Sequence, residues 1–478
     1  MDVGEYAGLD AVGLAGLIAQ GEVSAAEVAA IAASAVKASN DVLNFRVGPP
    51  LPPRPPEPGP LSGVPILIKD IGAAMAGVPQ ELGSRLAAGM IPSADSTLVL
   101  RYRRAGLVAL GRTTTPEFGS AFTTEPVTTG RTLNPWDLSR STGGSSGGAA
   151  AAVAAGAVPI AHAGDSGGSI RIPAHCCGVF GLKPTRGRNP VGPAAGEVNS
   201  GLTAAHVITR TVRDSALVLD ATAGMDAGAR YGCPPPSMPF AQAIAGDPAP
   251  LRLALVTESP LAGQVAPEIM AAARDTAARC AALGHHVEEA ALDFDAEMFI
   301  DMIRVIWSAN LHHAARALSI ALTRPVDATT LEPATLAIVE DGAWQSADTL
   351  LWGLDMMNRF SRLVAAFFDR YDMLICPTLS VTAPPLGLFA GDAPGMEVKA
   401  YLARLLAFAP FTMQFNVTGQ PAASLPLHLS AGGLPIGTQI VARFGEEAGL
   451  LALSAQLERA FPWAGRLPPH GLRRAGMC

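Results

Sequence analysis

Apolar positions in this chain fall into two periods that alternate along its length. From Val28 the apolar residues Val28, Ile31, Ala32 and Val36 recur at three- and four-residue spacing toward Asn40, which predicts a helix with one buried face. Ser24-Ala25-Ala26-Glu27 supplies a capping box for it, and Val23 and Val28 can staple across that cap. Gly63-Val64-Pro65-Ile66-Leu67-Ile68-Lys69-Asp70 is instead a short continuous apolar run, which predicts a strand entering a buried region. A helix over Thr97–Ala105 leads into a strand at Leu107–Leu110. The same helix–Gly–strand order recurs over Cys280–Val287, and another strand is expected at Asp372–Pro377. Such alternation predicts an α/β fold with helices covering a largely buried sheet.

Residues 297–366 have a mostly helical pattern and are expected to form a cap or peripheral layer. The run Pro49–Pro60 is too dense in proline for helix or inner strand and reads as an extended surface connection. Residues 226–249, rich in Gly, Pro and Ala, read as a surface connection and not as a domain break. The expectation is one domain over 1–478 with its catalytic core at 60–190.

Composition narrows the class. Of 478 residues 49% are hydrophobic and 16% charged, which excludes disorder for most of the chain. Six Cys in this length make no disulfide framework. Net charge is −7 with no basic run, so nucleic-acid binding has no electrostatic support. The first residues are acidic and lack an apolar segment of the secretory kind. The most apolar long stretch, Gly147–Ala163, is mostly Ala and Gly and contains Pro159 and His162, so no membrane span is expected. These features point to a soluble cytoplasmic protein with reduced thiols.

Two Gly/Ser clusters carry the candidate chemistry. The first is Thr142-Gly143-Gly144-Ser145-Ser146-Gly147-Gly148, followed by an Ala-rich stretch; the second is Gly164-Asp165-Ser166-Gly167-Gly168-Ser169-Ile170-Arg171-Ile172-Pro173. Glycines let the backbone take positive φ and let another group approach closely. Successive N–H groups in such turns form anion-binding nests, and a nest beside a hydroxyl has the parts of an acyl-transfer site. Both clusters also satisfy G-x-S-x-G, which leaves open a Ser–His–Asp α/β-hydrolase with His428 or His470 as base. The first is preceded by the polar Leu138-Ser139-Arg140-Ser141 and not by an apolar strand. Neither cluster continues into the Gly-Lys-Ser/Thr of a P-loop. His285-His286 and His312-His313 lack metal-ligand spacing, and no HExxH occurs.

The clusters together resemble the amidase signature family of serine hydrolases. Gly63-Val64-Pro65 leading to Lys69-Asp70, the two clusters, Gly181-Leu182-Lys183-Pro184-Thr185, Phe415-Asn416-Val417-Thr418-Gly419-Gln420-Pro421 and Gly433-Leu434-Pro435-Ile436-Gly437 all fit its pattern. Thr123-Thr124-Glu125-Pro126, Asn134-Pro135-Trp136 and Pro184–Arg188 are similar to its 6-aminohexanoate cyclic-dimer hydrolase branch. One departure is Ser166, where many relatives carry Thr. The resemblance implies a large mixed sheet covered by helices on both faces. It also implies roles by position. Ser169 would be the acyl-forming nucleophile, Ser145 a bridging serine after a cis peptide, and Lys69 the base. The N–H groups of Ser166, Gly167, Gly168 and Ser169 would form the oxyanion hole, with Ser146, Asp165 and Arg171 in support.

Lysine serves as a base only when neutral, and its ordinary pKa is about 10.4. The apolar strand before Lys69 offers the burial that would lower it, and Asp70 should point to the opposite face. An alkaline optimum follows. The expected substrates are small, neutral or apolar amides, with carbamates (urethanes) second and esters as a side activity. No cofactor, metal, nucleic acid or membrane is expected; a homodimer is compatible. Nylon-type oligoamides, aryl acylamides and urethanes stay open. Pocket walls are expected from residues 120–130, 190–205, 300–310, 345–360 and 408–416, with Trp307, Trp352, Phe411 and Met413 as candidates. A tRNA-dependent amidotransferase A-type subunit shares the signature and stays open beside the α/β-hydrolase esterase.

Overall fold

The structure is a computed structural model that describes residues 1–229, 231–389 and 396–472. Among the described residues eleven strands form one sheet, in the order Arg46–Val47, Val108–Thr113, Pro65–Lys69, Ile160–Asp165, Ala204–Thr209, Phe180–Lys183, Ala422–Leu429, Pro435–Ala442, Met373–Pro377, Arg252–Leu255, His286–Glu289. Pro65–Lys69 is parallel to both its neighbours, and Arg252–Leu255 is parallel to both of its own. The ladders from Ile160–Asp165 across to Met373–Pro377 are antiparallel, so the sheet is mixed.

Helices cover both faces. Along Met373–Pro377, Met373 and Ile375 join one hydrophobic core while Leu374 and Cys376 join the other. The same division separates Leu253 and Leu255 from Ala254. Burial on both sides explains why these strands read as continuous apolar runs and not as alternation.

The expected elements are found with small boundary shifts. The capping-box helix spans Ala25–Leu43, with Ser24 and Glu27 satisfying each other's backbone as the sequence implies. The helix Thr97–Arg104 and the strand Val108–Thr113 follow as expected. The helical region is three helices, Ala296–Leu322, Pro333–Ala343 and Ala347–Arg370, the first packing on both others. A polar strand, Asp137–Ser141, precedes the first Gly/Ser cluster in a two-stranded hairpin with Leu133–Asn134. Its polar side chains are tolerated because the hairpin stands outside the main sheet. Among the described residues no helix is long and apolar enough to cross a membrane.

Two features of this architecture place the chemistry. Pro65–Lys69 and Ile160–Asp165 are parallel neighbours, so Lys69 and Asp165 end their strands at the same edge. The helix Gly147–Ala154, buried at every residue, packs against both strands. Its small side chains permit that close approach.

Candidate active site

Lys69 is buried at the end of its strand, with Nζ 2.8 Å from Ser145 Oγ and 2.9 Å from Ser146 Oγ. Burial lowers its pKa to about 7, opposed by the charge of Asp165. Asp70 points elsewhere, as alternation along a strand requires. It accepts the Glu81 N–H, and Arg112 is the cation beside it.

Ser145 follows a cis Gly144–Ser145 peptide at the start of the turn into the Gly147–Ala154 helix. The Ser146 hydroxyl donates to the Gly164 carbonyl at 3.2 Å, so toward Lys69 it acts as acceptor. Gly119, at φ 68°, closes over Ser145; a Cβ there would lie 3.2 Å from Ser145 Oγ. The turn carrying it is anchored by buried Glu117, which accepts from Ser84 Oγ and from the Glu332 N–H. This turn was not singled out in the sequence. The only available signal was an acid two residues before a glycine at Glu117-Phe118-Gly119, too common to act on.

The second cluster is a loop between the strand Ile160–Asp165 and the helix Arg171–Cys177. Asp165 and Arg171 are both buried and form a two-bond ion pair at 2.9 Å. Arg171 also donates to the Thr412 carbonyl, Gln439 Oε1 and Asn416 Oδ1. These contacts hold the Asp165 carboxyl far below the usual carboxylate range despite its burial. Arg171 thereby ties the loop to the Thr412, Gln439 and Asn416 segments. Asn416, within the quoted Phe415–Pro421 segment, shares the task by donating to the Asp165 carboxylate and carbonyl.

One expectation changes. The Gly168 N–H turns inward and donates to Asp165 Oδ1 at 2.7 Å, so it is not free to meet an oxyanion. The carboxylate uses the Gly168 and Ile170 N–H groups to shape the loop. Among the described residues no protein acceptor takes the N–H of Ser166, Gly167 or Ser169. Gly168 is required for its backbone: at φ 132° a Cβ would lie 2.7 Å from Ile172 Cδ1 and Thr412 Oγ1. Ser166 Oγ is held by Thr203 at 2.6 Å and by Asn199 Nδ2 at 3.1 Å.

Lys69, Ser145, Ser166, Gly167 and Ser169 line one cavity of about 140 Å³. Among the described residues no hydrogen bond joins Ser145 Oγ to Ser169 Oγ, though both line the cavity. Four of the five expected segments contribute walls, through Phe122, 190–205, Trp307 and Met413, while Ile71, Ala73, Leu98 and Phe118 line the cavity from outside any of them. The fifth, 345–360, does not reach the cavity, and Trp352 is exposed on its helix. Phe411 packs in the core away from it. Sequence periodicity could not separate these cases, because inward and cavity-facing apolar residues look alike. His428 pairs with Asp275 at 2.7 Å and His470 lies by Pro135; neither lines the cavity, so neither can be the base of a Ser–His–Asp arrangement there.

Comparison with known proteins finds relatives over most of the chain. The family profile described as Amidase matches residues 53–451. The chain is 37% identical over 477 residues to the 6-aminohexanoate-cyclic-dimer hydrolase of Paenarthrobacter ureafaciens, covering 96% of each chain. A solved structure of 6-aminohexanoate cyclic dimer hydrolase superposes with a TM-score of 0.92 at 36% identity, covering 97% of this chain and 99% of that one. A bacterial aryl acylamidase of the amidase signature enzymes gives a TM-score of 0.85 at 26% identity, over 95% and 97%.

Proposed function

Because the chain belongs to the amidase signature family, whose members here are amide hydrolases, we propose that it cleaves small neutral or apolar amides through an acyl-enzyme on Ser169, and carbamates as a second bond type. The observation that carries this reading is Lys69: a buried amine between two serine hydroxyls, at the wall of a cavity that also exposes Ser169.

Ser146 spends its proton on Gly164, so neutral Lys69 donates one N–H to Ser146. That leaves the nitrogen lone pair to accept the Ser145 proton at 2.8 Å. Ser145 in turn takes the Ser169 proton as Ser169 Oγ attacks the carbonyl. The N–H groups of Ser166, Gly167 and Ser169 stabilise the oxyanion. Ser145 then hands a proton to the leaving nitrogen, and water repeats the sequence on the acyl-enzyme. The walls Ile71, Leu98, Phe118, Phe122, Trp307 and Met413 suit uncharged substrates.

A panel of p-nitroanilide, aliphatic amide, carbamate and ester substrates, run beside Ser169→Ala, tests this. Turnover should vanish in Ser169→Ala, and a fluorophosphonate should add its mass to the peptide holding Ser169. Label on another residue, or turnover surviving in Ser169→Ala, overturns the assignment.

A further inference from the structure

We propose that His162 is a substrate-binding residue that holds a second neutral hydrogen-bonding group of the substrate, such as another amide, in the catalytic cavity. The inference deepens the amidase reading and rests on it.

His162 sits within the strand Ile160–Asp165, is 1% exposed, and lines the same cavity as Lys69, Ser145 and Ser169. Neither Nδ1 nor Nε2 has a hydrogen-bond partner among the described residues. The other buried histidines differ. His175 bonds the Gly437 backbone, His206 bonds Ser215, and His285 bonds Gln456 and the Leu251 N–H. Leaving both nitrogens of one ring unmet inside a protein is unfavourable, and a native structure keeps such a group for a reason. The ring is oriented without hydrogen bonds, by an edge-on contact with Tyr102 at 6.1 Å.

The chemistry of the ring limits its ligand. Burial, and then the nearby charges of Lys69 and Arg112, hold its pKa down to about 3, so it is neutral. A neutral imidazole offers one donor and one acceptor. That pair matches an amide or a hydroxyl. A carboxylate offers no donor, and an ammonium offers no acceptor and would be repelled by Arg112. Two residues along the strand from His162 is Gly164, whose carbonyl anchors Ser146. His162 therefore lies roughly 7 Å along the strand from the residue that anchors Ser146, the neighbour of Ser145.

Two series of small amides test this, in which one segment of an alkyl chain is replaced by an amide at stepped positions. One series places it in the acyl part, the other in the amine part. Wild-type enzyme should prefer the amide-bearing member at one position by about tenfold in kcat/KM, expressed in KM. His162→Leu should abolish that preference and His162→Asn should restore part of it. In the substrate-free protein His162→Leu should match or exceed the wild-type Tm, since it removes an unmet polar ring. No preference in wild type, an equal fall for both members, or a Tm lowered by several degrees overturns the inference. Turnover persisting in Ser169→Ala would instead overturn the amidase mechanism beneath it.

Discussion

Two lysines end buried strands in this fold, and their surroundings differ in kind. Lys69 closes Pro65–Lys69 and Lys183 closes Phe180–Lys183. Both are 1% exposed, burial lowers both to about 7, and both feel the charge of Asp165. Lys69 faces two hydroxyls in a cavity. Lys183 donates to the Pro184 carbonyl, and the charges around it are Arg171, Asp165, Arg186 and Glu447. A carbonyl has no proton to give, so Lys183 has nothing to act on. A depressed pKa thus reports burial. What makes a buried amine a base is a partner with a transferable proton, in a space a substrate can enter.

The sharpest way to break this comparison is to remove each amine in turn. Lys69→Met should lower kcat by about 10²- to 10⁴-fold, the usual worth of a general base. In wild type, activity should rise with pH through an acidic limb near 7, as Lys69 loses its proton, and then level off. The limb should vanish in Lys69→Met and persist in Lys183→Met. A pH–rate profile in which Lys183→Met loses the limb would exchange the two roles.

A smaller effect concerns the anion that both lysines feel. Arg171→Leu would leave Asp165 as a buried carboxylate without its ion pair, at a cost of about 3–5 kcal/mol. Urea unfolding would measure it. A loss under about 1 kcal/mol would mean that Asn416 and the loop N–H groups hold Asp165 unaided.

The same contrast separates what the sequence carried from what it did not. Lys69, Ser145, Ser146, Ser169, Asp165 and Arg171 were legible because they sit in fixed motifs. Burial of the strand before Lys69 was legible as an apolar run. The inward turn of the Gly168 N–H was not, because a Gly-Gly pair is equally consistent with an N–H facing in or out. Trp307 and Trp352 read alike on helical patterns, yet one lines the cavity and the other is exposed. Which face a peripheral helix presents is fixed by packing between segments remote in sequence. The unmet nitrogens of His162 are legible only in three dimensions: the sequence shows one histidine in an apolar run and cannot show which partners are missing.

A last expected effect is on the pH dependence of stability, and its sign tests whether Lys183 is only buried. The folded pKa of Lys183 is about 7 against an ordinary value of 10.5. Between those pH values the unfolded chain binds more protons than the folded one, so this group's contribution to stability rises with pH across that window. Below about pH 7 its cost is present in full. Lys183→Met lacks the group, so its Tm relative to wild type should be highest near pH 6 and should decline toward pH 10. Lys69→Met should show the same trend, because its shift has the same first cause. The two variants should then agree in stability profile and disagree in turnover, which isolates geometry as the difference between them. If Lys183→Met is instead less stable near pH 6 than near pH 10, the Lys183 ammonium is held by Asp165 and Glu447 in the folded protein. The resemblance between the two lysines would then end at burial.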